Sequence, residues 1–323
     1  MAGSQILKKL AGLGGLMGLA GLPALALTVT DAISPNGIDA LRLHQAPYNL
    51  LGRKIAIGQV EVGRPGQFGV DKAVSRYRAI AITQVFFRNH PAKTNTNVDS
   101  HAQSVAGIMI SKDKALPGIA PAARLYASAA GTTRRDGQPE DCLSAQKIAA
   151  QNGGDVRAIN FSFGESLQHD PRPISVLDGN ALLTQCVDWS ARVHDVLYVV
   201  AGNQGKGGIP IPTDNFNGMN VAYTMRLQGI YTKVDFANIS DPAAGFVRRI
   251  VGQETNLGRR GSVSLVAPGS QVSLLAFDGR IIRGSGTSFA APMVTATVAL
   301  LQEWGDRQLR QHHPHSGDGR PTS

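Results

Sequence analysis

Four polar residues stand where this chain could do chemistry. Glu61 closes the apolar run KIAIGQVE (54–61), and His101 opens HAQSVAGIM just after the loop VDS. Asn203 closes VLYVVAGN (196–203), and Ser288 follows Gly-Ser-Gly-Thr at the head of the long apolar stretch SFAAPMVTATVALL. A serine hydroxyl becomes a strong nucleophile when a neighbouring base takes its proton, and a carboxylate can orient that base. An acid, a histidine and a serine are therefore the parts of a nucleophile–base–orienter relay. Each residue alone also has a structural reading, as a strand-end acid, a helix-start histidine or a capping serine. A capping serine satisfies free backbone N–H groups, and those same groups with the helix dipole favour negative charge developing beside it. Joint placement at element ends carries the argument.

The elements that must position them read as an alternation of strands and helices. KIAIGQVE, ARLYASAA (123–130), RAINFSFG (157–164) and VLYVVAGN are short apolar runs typical of buried strands. AQSVAGIMI (102–110), CLSAQKIAAQ (142–151), ALLTQCVDWSARV (181–193) and the stretch from Ser288 have helical patterns. Later strand-like runs are NVAYTMRL (220–227), KVDFANIS (233–240) and SVSLVAPG (262–269). Near-continuous apolar strands alternating with helices imply an α/β fold: a doubly wound, mostly parallel sheet with helices on both faces. In such sheets active groups collect outside the carboxyl ends of the strands, where Glu61 and Asn203 fall. Pro292 is placed in the first turn of the final helix, where a missing N–H leaves no intrahelical bond unmade.

Composition narrows the class. The 323 residues include 37 glycines and only 17% charged residues, which suits a compact, loop-rich enzyme rather than a disordered or coiled-coil chain. The net charge is +9, but arginine pairs such as Arg134-Arg135 and Arg259-Arg260 are scattered without interleaved aromatics, which argues against nucleic-acid binding. Residues 1–26 combine Lys8-Lys9, an apolar Gly/Leu-rich run and Ala24-Leu25-Ala26, the pattern of an export signal cleaved after Ala26. A short segment, 27–36, then precedes a catalytic domain over 37–306, and 307–323 is expected to be a disordered polar tail. Cys142 and Cys186 either pair after export or sit as small buried hydrophobes. No metal site is assigned: the cysteines lack C-x-x-C spacing and no Asp-rich loop has clear calcium-ligand spacing.

GTSFAAPMV resembles the serine motif G-T-S-x-A-x-P-x-V of the subtilases, the subtilisin-like serine proteases, which makes Ser288 the implied nucleophile. HAQSVAGIM is similar to the family's H-G-T-x-V-A-G, implying His101 as general base, with Ala102 and Gln103 in place of Gly and Thr. KIAIGQVEVG resembles the first strand ending in Asp-x-Gly, so Glu61 takes the place of the usual aspartate. VVAGNQG resembles the segment bearing the oxyanion-hole asparagine, here Asn203, a donor worth about 3–4 kcal/mol in the transition state on subtilisin itself. INFSFG resembles the strand that pairs with substrate backbone, implying Ser162, Phe163 and Gly164. LVAPG and GIAPAARLYA also have family counterparts, and the order acid, His, Asn, Ser is the family's own.

The resemblance implies a secreted or periplasmic serine endopeptidase working through a Ser-His-Glu triad and an acyl-enzyme. Its partners are polypeptide substrates, with no nucleic acid and no stable membrane anchor after signal removal, and the protein is expected to act as a monomer. No cofactor is expected; family members often bind calcium, but no site is assigned. The alternatives are a catalytically inactive peptide-binding protein of the same fold and an esterase using the same relay. Asp71 and Asp99 compete with Glu61 for the third triad place. Glu165, directly after the substrate strand, either lines the first specificity pocket and favours Arg or Lys before the cut bond, or points to solvent.

Overall fold

The computed structural model describes residues 30–131, 135–202, 210–234 and 256–312. The first half runs α1 (Leu41–His44), β1 (Ala56–Glu61), β2 (Gln84–Phe87), β3 (His90–Pro91), α2 (Ser100–Ile110), β4 (Arg124–Ala129) and α3 (Gln138–Ala149). Next come β5 (Ala158–Phe161), α4 (Leu182–His194), β6 (Leu197–Ala201), β7 (Met219–Leu227) and β8 (Ile230–Val234). The chain closes with β9 (Leu265–Pro268), β10 (Val272–Leu275), β11 (Ile281–Gly284) and the long helix α5 (Thr287–His312).

Among the described residues nine strands form one sheet in the order β3-β2-β4-β1-β5-β6-β7-β8, with β9 also paired to β7. All pairs are parallel except the edge hairpins β2–β3 and β7–β8. The expected α/β architecture, a mostly parallel sheet with helices on both faces, is therefore the fold. β1 is its centre, hydrogen-bonded to β4 and β5, and every one of its residues is buried.

Strand alternation splits the core around β1 in two, and a smaller third cluster (Val199, Ala201, Val221, Ala267, Ala290, Ala291) joins β6, β7 and β9 to α5. Ile57, Leu125 and Ala158 face a cluster built with α2 (Val105, Met109) and α5 (Met293, Leu300). Ala56, Val60, Ile159 and Phe161 face the other cluster, with α3 (Ile148) and α4 (Leu183, Val187). Because side chains alternate with period two, Gln59 and Glu61 share the α2/α5 face with Ile57. Two polar side chains are thus aimed at the helix that carries His101.

Several boundaries differ from the sequence expectation. The packed body begins before residue 37: Thr30 bridges Val272, and Ala32 and Ile33 are buried in the core. Backbone bonds Thr30 N→Gln271 O and Ser273 N→Thr30 O hold this segment to β10, a long-range pairing invisible in the local pattern. The final helix continues to His312 rather than ending at 306. Arg307 pairs with Glu303 one turn earlier and donates to the carbonyls of Tyr48 and Asn49, which anchors the added turns. Of KVDFANIS, residues 233–234 end β8; its remainder, the signal segment 1–26 and residues 313–323 lie outside the described residues.

Cys142 and Cys186 form a disulfide joining α3 to α4. With a sequence separation of 44, the chain-entropy model assigns it about 4 kcal/mol. Among the described residues no helix is long and apolar enough to cross a membrane.

Candidate active site

Glu61 is the last residue of β1, 2% exposed, at the carboxyl end of the central strand. His101 is the second residue of α2. Asp99 caps that helix, its Oδ1 accepting from Ala102 N at 3.0 Å. The two elements are locked together beyond the side chains. Asp99 N donates to Arg64 O and Arg64 N to Asn97 O, and a Cβ on Gly63 would lie 2.3 Å from Asp99 Cβ. Only glycine permits that approach. The result is a hydrogen bond of 2.6 Å between His101 Nδ1 and Glu61 Oε2.

The other carboxylate oxygen, Glu61 Oε1, accepts from Gln59 Nε2 at 2.8 Å; that same amide nitrogen also donates to Ala102 O at 2.9 Å. Burial pushes the Glu61 carboxyl above the ordinary range, against the opposing bond and charge of His101. For His101 burial acts downward, but the bond and charge of Glu61, with the charge of Asp99, outweigh it and leave the imidazole above its ordinary value. The pair therefore holds a proton readily, as a general base that must become an imidazolium requires.

Neither competing acid meets the imidazole by hydrogen bond. Asp71 is fully buried in a bidentate pair with Arg64 (2.6 and 2.8 Å) and accepts from Gln67 N and Asn95 N. The Arg64 guanidinium, with these backbone donors, holds its carboxyl below the usual range despite burial. Asp99 Oδ1 is engaged as the helix cap.

Ser288 is the second residue of α5. Its loop is pinned by Gly286 N→Gly269 O and Gln271 N→Ser285 Oγ, both 2.8 Å. Gly269 lies so close that a Cβ there would sit 2.7 Å from Gly286 O. Because the helix starts at Thr287, Pro292 is its sixth residue, not a first-turn residue, and its missing N–H leaves Ser288 O without the usual helical donor. Ser162 Oγ fills that place at 2.9 Å. Asn160 Nδ2 donates to Ser162 Oγ, and Thr295 Oγ1 donates to Asn160 Oδ1. The Ser288 hydroxyl donates to Ser162 O at 3.2 Å rather than to His101, whose ring lies 5.4 Å from that of Phe289.

Ser162, Phe163 and Gly164 leave the sheet after β5 and are followed by a two-residue bridge between Glu165 and Ile211. Phe163 stacks on Phe161 at 5.1 Å. The proposed oxyanion donor Asn203 lies outside the described residues.

Glu165 takes neither of its expected orientations. Its side chain is wholly buried, accepts from His169 at Nδ1 (2.7 Å) and adjoins the buried carboxyl of Asp141 on α3. That removes it as an exposed pocket wall. Burial of two adjoining carboxyls favours keeping one proton on the pair. Burial, with the neighbouring charges of Glu165 and Glu140, pushes Asp141 up to about 9, and Arg88 offsets this only partly. Between pH 4 and 9 the folded protein thus keeps a proton that the unfolded chain releases. The associated stability is complete below about pH 4 and is lost as pH rises towards 9. Asp141→Asn, neutral at every pH, should therefore match the parent's Tm near pH 4 and exceed it by several degrees at pH 8. A variant less stable than the parent at pH 8 would contradict a shared proton.

Among the described residues one group of metal-capable side chains converges, Glu61, Asp99 and His101, with ligand atoms within 4.8 Å. One imidazole and two carboxylates already engaged by His101, Gln59 and Ala102 N do not offer the six to eight oxygens calcium takes.

The profile described as Subtilase family matches residues 77–317, more than half of the chain; it begins after β1, so the acid position is outside the match. No curated protein matches the sequence. Among solved structures the chain is similar to the S41 psychrophilic protease, with 23% identity over 81% of this chain and 82% of that one (TM-score 0.54). It is also similar to MycP1 with its N-terminal propeptide removed (18%, 82% and 83%, TM-score 0.55). A third likeness is to the A-subunit of the AB5 toxin from E. coli (18%, 88% and 91%, TM-score 0.54). At these identities the likeness speaks for the fold.

Proposed function

The chain belongs to the subtilase family of serine-type peptidases, and on that premise we propose that it is an exported endopeptidase using a Ser288–His101–Glu61 triad. The observation that carries the triad is the 2.6 Å bond from Glu61 to His101 Nδ1, which leaves Nε2 for the serine. On substrate binding the Ser288 hydroxyl turns from Ser162 O to His101. Catalytic hydrogen bonds often tighten only in the complex. His101 Nε2 takes the hydroxyl proton as Oγ attacks the scissile carbonyl. The imidazolium then gives that proton to the leaving amine, and an acyl-enzyme remains. Water, deprotonated by His101, releases the acid product and restores the serine. Asn203 and the Ser288 N–H serve as oxyanion donors, and Ser162–Gly164 pairs with the substrate backbone. The reaction needs no metal, and a monomer suffices.

Export with cleavage after Ala26 is supported by the basic-apolar start and by the disulfide, a bond that persists in oxidising compartments. A second reading, peptide binding without turnover, is favoured by one observation, the Ser288 hydroxyl bonded to Ser162 O. Incubation with a fluorophosphonate followed by peptide mass mapping separates the two. Covalent label on Ser288 is the expected result; an unlabelled, folded protein would leave only the binding reading.

A further inference from the structure

The acid of this site is one methylene longer than the family's aspartate, and it reaches the imidazole with one oxygen while the other stays inside the protein. That second oxygen needs a donor. Gln59, two residues earlier on the same face of β1, is fully buried, and its amide nitrogen sends one N–H to Glu61 Oε1 and one to Ala102 O. Both neighbours of that nitrogen are acceptors, so a flipped amide would set oxygen against oxygen, and the orientation is fixed by chemistry. Among the described residues its Oε1 is buried without a partner, so the group is held there by its two donated bonds. We propose that Gln59 is a positioning residue that makes glutamate workable as the triad acid. It clamps the carboxylate of β1 to the backbone of α2 beside His101, so that the longer side chain presents Oε2, and not a range of rotamers, to Nδ1.

This inference rests on the triad reading above, and two consequences separate it from simple packing. First, Gln59 and Glu61 act as a unit. A hydrogen bond to a buried charge is the strong kind, so Gln59→Met should lower kcat/KM about ten- to a hundred-fold, mostly in kcat. In a Glu61→Asp background the shorter carboxylate withdraws from the amide, and the same substitution should change kcat/KM by less than about three-fold, the signature of direct coupling. Second, a carboxylate stripped of its amide donor gains more from a cationic imidazole, so the pH at which His101 takes its proton should rise.

The experiment is a double-mutant cycle of Gln59→Met and Glu61→Asp, read by peptide hydrolysis, with the His101 protonation midpoint followed by NMR in parent and Gln59→Met. Coupling together with an upward midpoint is the expected result. Equal losses in both backgrounds with an unmoved midpoint would overturn the proposal and leave Gln59 as packing. Should Gln59→Met not fold, Gln59→Asn, which keeps the amide but shortens its reach, is read by the same criteria. An inactive parent would remove the peptidase reading, whereas the midpoint would still decide the role of Gln59.

Discussion

Ser288→Ala is expected to lower kcat by about 10⁶-fold, the magnitude found for the nucleophile in subtilisin, while KM stays within a few-fold. The reasoning starts from how little else the change touches. Among the described residues the hydroxyl makes one hydrogen bond, to Ser162 O, while the Ser288 carbonyl keeps its donor from Ser162 Oγ. Alanine is a good helix former and adds no bulk, so α5 and its packing on the sheet should persist with an unchanged Tm. On the proposed mechanism, what disappears is the atom that forms the acyl-enzyme. Oxyanion donors and substrate pairing are left, and in subtilisin these still give about 10³–10⁴-fold over water. Single-turnover assays with a labelled peptide would therefore show cleavage without any covalent intermediate. Retention of activity within ten-fold of the parent would remove Ser288 as nucleophile.

Glu61→Gln is expected to lower kcat by about 10⁴-fold, as loss of the orienting carboxylate does in related triads, including subtilisin's. Here the mechanism of that loss follows from a neighbour. Gln59 Nε2 points at the position of Glu61 Oε1 and can only donate. The new amide must therefore place its oxygen towards Gln59 and its NH₂ towards His101 Nδ1. That turns Nδ1 into an acceptor and moves the ring proton to Nε2, the nitrogen that should take the serine proton. The base would be held in the wrong tautomer. Glu61→Asp, which keeps the charge but not the reach, should retain partial activity. The competing acids predict different phenotypes. Asp71→Asn strands the buried Arg64 guanidinium and should act on Tm by about 3–5 kcal/mol of lost stability. Asp99→Asn preserves a good helix cap. Near-full activity of Glu61→Gln with loss in Asp99→Asn would reassign the acid.

Much of this architecture was legible because its signals are local. An apolar run ending in a carboxylate, a serine opening a helix and apolar strands alternating with helices each depend on neighbours within a dozen residues. The contact between Glu61 and His101 follows once β1 and α2 are in their family arrangement. Gln59 carried a readable signal too, a polar residue in a buried strand at period two from the acid, yet nothing local says what it donates to. The inward turn of Glu165 brings it to His169, four residues on, and to Asp141 of α3 across a packed interface, so neither pocket wall nor solvent was the answer. Pro292 was misread because its missing N–H belongs opposite the Ser288 carbonyl, four residues earlier and already at the head of the helix, and that carbonyl is the one Ser162 takes. The docking of Thr30 on the β10–β11 hairpin rests on pairing across more than two hundred residues, from Thr30 to Val272.

The disulfide between α3 and α4 does more than brace two helices. It closes a covalent ring whose circumference includes β5, the Ser162–Gly164 segment and the connection around Ile174, which is 75% exposed. Glu61 and His101 lie upstream of that ring and Ser288 downstream. A peptidase lives among peptidases, its own copies included, and exposed connections of this kind are where chains are nicked. A single cut anywhere between Cys142 and Cys186 leaves both fragments tethered through sulfur, with β5 still inserted between β1 and β6. The two halves of the proposed relay are then held together after such a wound, so the ring is expected to make the protein tolerant of cuts in this stretch.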